Sequence, residues 1–245
     1  MIKAGAFIFI SSLLIFVWCD GKNFSVIKNV HQQNHAPVVK IISPANNSIV
    51  SANAQVHYSI TVSDKEDGES KYDEINAKEV LLEIKYFNDA VKLNAALTAS
   101  HDKDAPGLTA IRTSNCFNCH AFEDKNTGPS FSDINKRYKP TAANMILLEK
   151  RIKEGSTGVW GKTAMPTHPE LSDVQIKNMV QWIMQNATAP GVHYYIGMEG
   201  NFNVQTHTAN KNGAYLLSAS YTDHGINNTG ERLEGKDAIV IKVNK

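Results

Sequence analysis

Cys116-Phe117-Asn118-Cys119-His120 concentrates more reactive chemistry than any other stretch of this 245-residue chain. Two thiols separated by two residues and followed at once by an imidazole form the attachment pattern for c-type haem. The thiols add to two vinyl groups on one side of the porphyrin, which brings the imidazole under the iron. A redox-active Cys-x-x-Cys pair wants a βαβ setting, which the neighbouring sequence lacks. A structural zinc site wants a fourth ligand and usually a second cysteine pair, and neither is present. Cys116 and Cys119 are therefore read as the covalent attachment points of one haem c, with His120 as an axial iron ligand. No second such motif exists, so a two-haem peroxidase is excluded.

The second axial ligand must lie downstream. Met165 sits in Gly161-Lys162-Thr163-Ala164-Met165-Pro166, a loop bounded by glycine and proline between two helical stretches. His168, in the same loop, is its competitor. Met145, Met179 and Met184 fall on apolar helical stripes and read as core. An iron bound by both His120 and Met165 has no open position, which suits electron transfer. Serines, carboxylates and the other histidines form no recognisable nucleophile motif, so the chain reads as an electron carrier and not an enzyme.

The elements that must position these groups fall into three regions. Residues 102–187 are helical in pattern. Ser172 and Gln175 form a capping box ahead of Ile176, Met179, Val180, Ile183 and Met184 on one face. Thr141 caps an earlier helix whose Met145, Leu148 and Ile152 share a face, and Gly155 and Gly158 end it. Residues 37–87, within a sandwich segment placed at 36–98, instead read as β-structure, with a strand over 38–42, Val56, Tyr58, Ile60 and Val62 alternating with polar residues, and a further strand over 80–87. Asp64, Glu66 and Asp67 have the chemistry to bind calcium, but Asp64-Lys65-Glu66-Asp67-Gly68 reads better as a turn. The β-pattern returns over 191–245, with strands at 192–196, 214–221 and 238–243 and turns at Asn212-Gly213 and Asp223-His224-Gly225. Neither β-segment makes a sandwich alone. Joined, they give about six strands over roughly 115 residues, the size of an immunoglobulin-like domain. The expected fold class is α+β multidomain: an all-α domain inserted in, or flanked by, a split immunoglobulin-like β-sandwich. Three consecutive units with a β-tail are the alternative.

From Thr113 to Met184 the chain resembles the small bacterial class I monohaem cytochromes c. The matching stretches are Cys116-Phe117-Asn118-Cys119-His120, Gly128-Pro129-Ser130-Phe131, Gly158-Val159-Trp160-Gly161-Lys162-Thr163-Ala164-Met165-Pro166 and Gln181-Trp182-Ile183. The resemblance implies that the Pro129 carbonyl accepts the proton on the His120 nitrogen that does not bind iron. It also implies that Trp160 donates its indole N–H to a haem propionate, with plain packing as the alternative. The flanking β-segments resemble the opening and closing halves of bacterial immunoglobulin-like modules.

Residues 1–18 read as an export signal: Lys3 precedes an apolar run over 4–17, shorter than the roughly 20 residues a spanning helix needs. Cys19 then stands where a bacterial lipoprotein carries its lipid, although Trp18 occupies a place usually held by a small residue. A differently cleaved or uncleaved signal with a free Cys19 is the alternative. Residues 19–35 follow as a polar linker. With two sulfurs on haem and one on lipid, the three cysteines leave no disulfide. The net charge of +1 gives no field for nucleic acid. The expected setting is the periplasm-facing cell envelope, lipid-anchored to a membrane, with a redox protein such as a periplasmic dehydrogenase or oxidase as partner. Lys125, Lys136, Arg137, Lys139 and Lys162 are candidates for a basic docking rim, or else a solvated face. The competing functional class is a binding or sensing module whose sandwich recognises a carbohydrate or a protein.

Overall fold

The computed structural model describes residues 33–205, 213–227 and 230–244. The export segment, Cys19 and Asn212 lie outside them. Strand β3 (Gln55–Asp64) follows the sequence alternation: Val56, Tyr58, Ile60 and Val62 are buried and His57, Thr61 and Ser63 exposed. It is flanked by β1 (Val38–Ser43) on one side and by β4 (Gly68–Glu69) and β7 (Glu199–Asn203) on the other. A second sheet runs in the order β2 (Ile49–Ser51), β9 (Glu234–Asn244), β8 (Ala214–Thr222), β5 (Leu81–Phe87), β6 (Val192–Ile196), parallel only between β2 and β9. The two sheets share one core, in which Val39, Tyr58 and Val62 meet Leu82, Leu217, Ala219 and Ile241.

Five helices lie between β5 and β6: α1 (Ala90–Ala99), α2 (Pro106–Thr113), α3 (Phe131–Arg137), α4 (Ala142–Glu154) and α5 (Asp173–Asn186). The strands before and after them pair directly, from Leu81 opposite Ile196 to Lys85 opposite Val192. Helix α5 starts with the expected capping box of Ser172 and Gln175, and Thr141 caps α4 by accepting from Asn144 N–H. No helix among the described residues is long and apolar enough to cross a membrane.

Two features depart from the sequence reading. Residues 90–99, which lie almost wholly in the segment placed at 36–98 and have no element in that reading, form a helix capped by Asp89, which accepts from the amides of Val91 and Lys92. Its Leu93, Ala96 and Leu97 pack on Ala214, Leu216 and Val240, so β8 is buried on both faces. Strands β2, β4 and β7 add to those expected. They are too short, or in β7 too polar with only Phe202 buried, to show an alternating pattern. The segment after β3 is the expected turn, with Asp64 Oδ1 accepting from the amides of Glu66 and Asp67.

Helix α2 joins the helical segment to the sheets. Gly107 lies so close to α5 that a Cβ there would come within 2.2 Å of the Asn178 carbonyl oxygen. Arg112, 1% exposed, donates to Asp104 at 3.1 Å and Glu234 at 3.3 Å, and to the hydroxyls of Ser220 and Thr222. Lys236 closes the network on Asp104 at 2.6 Å. Burial pushes the Asp104 carboxyl up, but Arg112 and Lys236 outweigh it and hold the group down at about 2. Glu234, buried beside Asp104, is pushed the other way. Removing one member strands buried charge, which costs about 3–5 kcal/mol. Arg112→Met is expected to lose that amount in urea unfolding of the holoprotein. A loss within the roughly 0–1 kcal/mol of an exposed pair would show that the network holds nothing together.

Candidate functional site

The residues that precede the paired cysteines determine how they are presented. Asn115 adopts φ 58°, a left-handed conformation that asparagine tolerates, and this stops α2. Residues Cys116–Asn118 then form a 3₁₀ turn, with the amides of Cys119 and His120 donating to the Cys116 carbonyl at 3.1 and 2.9 Å. Three residues per turn eclipses positions i and i+3, so Cys116 and Cys119 project to one side. They form no disulfide. Burial pushes the Cys116 thiol up to about 12, the opposite of the low value of a redox-active thiolate.

His120 is held from three directions. Its Nδ1 lies 2.7 Å from the Pro129 carbonyl oxygen. A carbonyl only accepts, so Nδ1 carries the proton and Nε2 keeps the lone pair that a metal needs. Phe131 stacks on the ring at 5.5 Å between centroids and 13° between planes. A Cβ on Gly128 would stand 2.6 Å from His120 Cε1. Burial pushes the imidazole pKa down, which keeps the ring neutral near pH 7. The loop that carries Pro129 is tied back by Gly128 N–H to the Cys119 carbonyl at 2.8 Å and Phe131 N–H to the Ala121 carbonyl at 2.9 Å. Ser130 caps α3 by accepting from Asp133 N–H.

Met165 reaches the same cavity from a separate loop. Its amide donates to the Ser156 carbonyl at 2.8 Å, and Ser156 N–H donates back to the Met165 carbonyl at 3.1 Å. This bridge pins the loop that follows α4. Cys116, Cys119, His120, Pro129, Trp160 and Met165 line one cavity of about 320 Å³, within the size range of small-molecule sites. Ile111, Met179 and Ile183 supply apolar wall. The site thus combines two thiols on one side, a neutral imidazole oriented from behind, a thioether and a largely apolar lining. These features fit a covalently tethered haem. Among the described residues, no group of three or more His, Cys, Asp or Glu side chains is arranged to hold a metal ion, as a structural zinc site would need.

Trp160 is half-buried, with the Arg137 guanidinium 4.4 Å over its ring, and its indole N–H has no acceptor among the described residues. His168 also lines the cavity, but its Nδ1 is engaged with Glu170 at 2.9 Å. Lys125, Lys136, Arg137, Lys139 and Lys162 are all exposed, and Arg137 also stacks on Trp160 and donates to the Val159 carbonyl. Sequence reading missed three participants: the Gly128 contact, the Phe131 stack and Arg151, which lines the cavity and donates to the Tyr138 hydroxyl. Arg151 follows Leu148 by three residues, so a charge on an apolar helical stripe was the available signal.

The family model described as Cytochrome c matches residues 105–187. Cytochrome c-551 of Azotobacter vinelandii is 34% identical over 78 residues, 32% of this chain and 94% of that relative. Cytochrome c2 of Rubrivivax gelatinosus is 39% identical over 72 residues, 29% of this chain and 85% of that relative. Among solved structures, wild-type cytochrome c552 of Nitrosomonas europaea is 35% identical, covering 31% of this chain and 95% of that one with a TM-score of 0.30.

The Gly128 contact is open to a direct test. Gly128→Ala forces the His120 ring or the Pro129 loop to move, an overpacking cost of about 1–3 kcal/mol. Lower thermal stability of the holoprotein and an altered haem absorption spectrum are expected. A variant with the wild-type melting curve and spectrum would show that the ring is not confined there.

Proposed function

This chain belongs to the cytochrome c family and binds haem c covalently, and from that premise we propose that Cys116 and Cys119 hold the haem while His120 and Met165 bind its iron. When bound, haem c supplies a one-electron iron couple. One observation carries the reading: the two thiols, the imidazole and the thioether line the same cleft. Pro129 orients the imidazole and strengthens it as a ligand through the Nδ1 proton. Trp160, held by Arg137 over its ring, would give its indole N–H to a haem propionate. The apolar residues keep water from the site. Held by both His120 and Met165, the iron would have no position left for a substrate, which suits the carrying of electrons.

The two sheets are read as an immunoglobulin-like module. Strand β3 pairs with β1 and β7 as strand B pairs with A and E, and β9, β8, β5, β6 follow the order G, F, C, C′. The helical segment then occupies the C–C′ connection of a split sandwich, with the module over 36–98 and 191–245 and the haem-binding domain over 102–187. Residues 1–18 are the export signal, and Cys19 carries the lipid that anchors the protein at the periplasmic face of the envelope. A periplasmic dehydrogenase or oxidase docks through a small interface, below about 1,200 Å². The exposed Lys125, Lys136, Lys139 and Lys162 steer it.

Met165→Ala is expected to open a coordination position, lower the reduction potential and admit carbon monoxide, while His168→Ala leaves spectrum and potential unchanged. The reverse pattern would make His168 the ligand. Labelled palmitate is expected to enter the wild-type protein and not Cys19→Ser. Equal incorporation into both, or none into either, would end the lipoprotein reading.

A further inference from the structure

A second cavity, of about 430 Å³, shares no lining residue with the haem cleft. Its floor is the outer face of the five-stranded sheet, where Glu83 on β5 stands in register with Tyr194 on β6 and Ser218 on β8. On either side of this strip the sheet is covered by apolar contacts. Helix α1 packs on Ala214, Leu216 and Val240, and α2 and α5 pack around Leu81, Tyr194 and Ile196. Between them the surface stays polar, although burying polar groups is costly unless they find partners.

Ser218 shows where that surface is still open to a partner. The residue is 7% exposed and lines the cavity, and its hydroxyl, which is not among the fully buried atoms without a partner, is available there for a hydrogen bond. The charges around it are already balanced. Three carboxylates (Glu83, Asp102, Asp104) face three ammonium groups (Lys85, Lys103, Lys236) in the lining. Glu83 pairs with Lys85 at 2.8 Å, and Asp104 with Lys236 at 2.6 Å. A charged ligand would have to break these pairs, whereas a neutral one rich in hydroxyls bonds to them as they stand. Trp182 and Tyr194, whose rings meet edge to face at 5.4 Å, add an aromatic wall for a face of C–H groups. We propose that this cavity, where the helical segment closes over the sheet, binds a neutral polyhydroxylated ligand of monosaccharide size. The site is separate from the haem and does not depend on the electron-carrier reading.

The test is calorimetric titration of the full-length holoprotein with glucose, galactose, mannose, xylose and arabinose, and with glycine and gluconate as charged probes. At least one neutral sugar is expected to bind with one-to-one stoichiometry. Ser218→Leu, which fills the cavity, abolishes that binding, and Glu83→Gln weakens it by roughly tenfold or more. An unchanged haem spectrum and melting temperature in Glu83→Gln separate loss of the site from loss of the fold, should Ser218→Leu fail to fold. Absence of binding by every neutral sugar, binding undiminished in both variants, or binding of the charged probes alone would overturn the proposal. The haem spectrum is expected to be normal in every one of these outcomes, so failure here leaves the carrier function untouched.

Discussion

The 2.7 Å hydrogen bond from His120 Nδ1 to the Pro129 carbonyl organises the haem cleft around it. It settles the tautomer, and the tautomer settles which nitrogen has a lone pair to give. The bond exists because the chain between them is folded tightly: Gly128 leaves no Cβ against the ring, and Phe131 stacks behind it at the start of α3. The same short loop is fastened to the Cys116–Asn118 turn through the Cys119 carbonyl, so thiols and imidazole are placed by one continuous piece of backbone. Met165 is the exception, arriving from a separate loop held by its bridge to Ser156. The cleft is therefore pre-formed on the thiol side and depends on a two-bond clasp on the thioether side.

Helix α2 carries the second constraint. Successive residues on a helix point about 100° apart. Ile111 thus lines the haem cleft while Arg112 turns away into the ion-pair network with Asp104, Glu234 and the β8 hydroxyls. One short helix is shared between the redox site and the sheets. A buried network of this kind adds little net stability over an apolar contact, but it tolerates few alternative arrangements. The β-structure is consequently part of the scaffold under the haem cleft and does not hang from a flexible linker.

How far these features were legible in sequence depends on how local their physics is. The Ser172–Gln175 capping box is a local pattern, and it emerges where the residues said it would. The alternation in β3 was readable because only one of its faces is buried. Arg112 was invisible, since Ser220, Thr222 and Glu234 lie more than a hundred residues further along the chain. Helix α1 was lost for a related reason: its apolar residues are few and gain meaning only against β8. Gly128 offered a glycine before a proline, yet what it must avoid, the His120 ring, is a tertiary fact.

The absorption spectrum of the purified holoprotein, oxidised and reduced, before and after carbon monoxide, tests the central claim most directly. A six-coordinate haem that resists carbon monoxide in the reduced state is the result expected of the proposed ligation of its iron by both His120 and Met165. A protein without haem colour from a host able to attach it, or a reduced haem that takes up carbon monoxide readily, would contradict it.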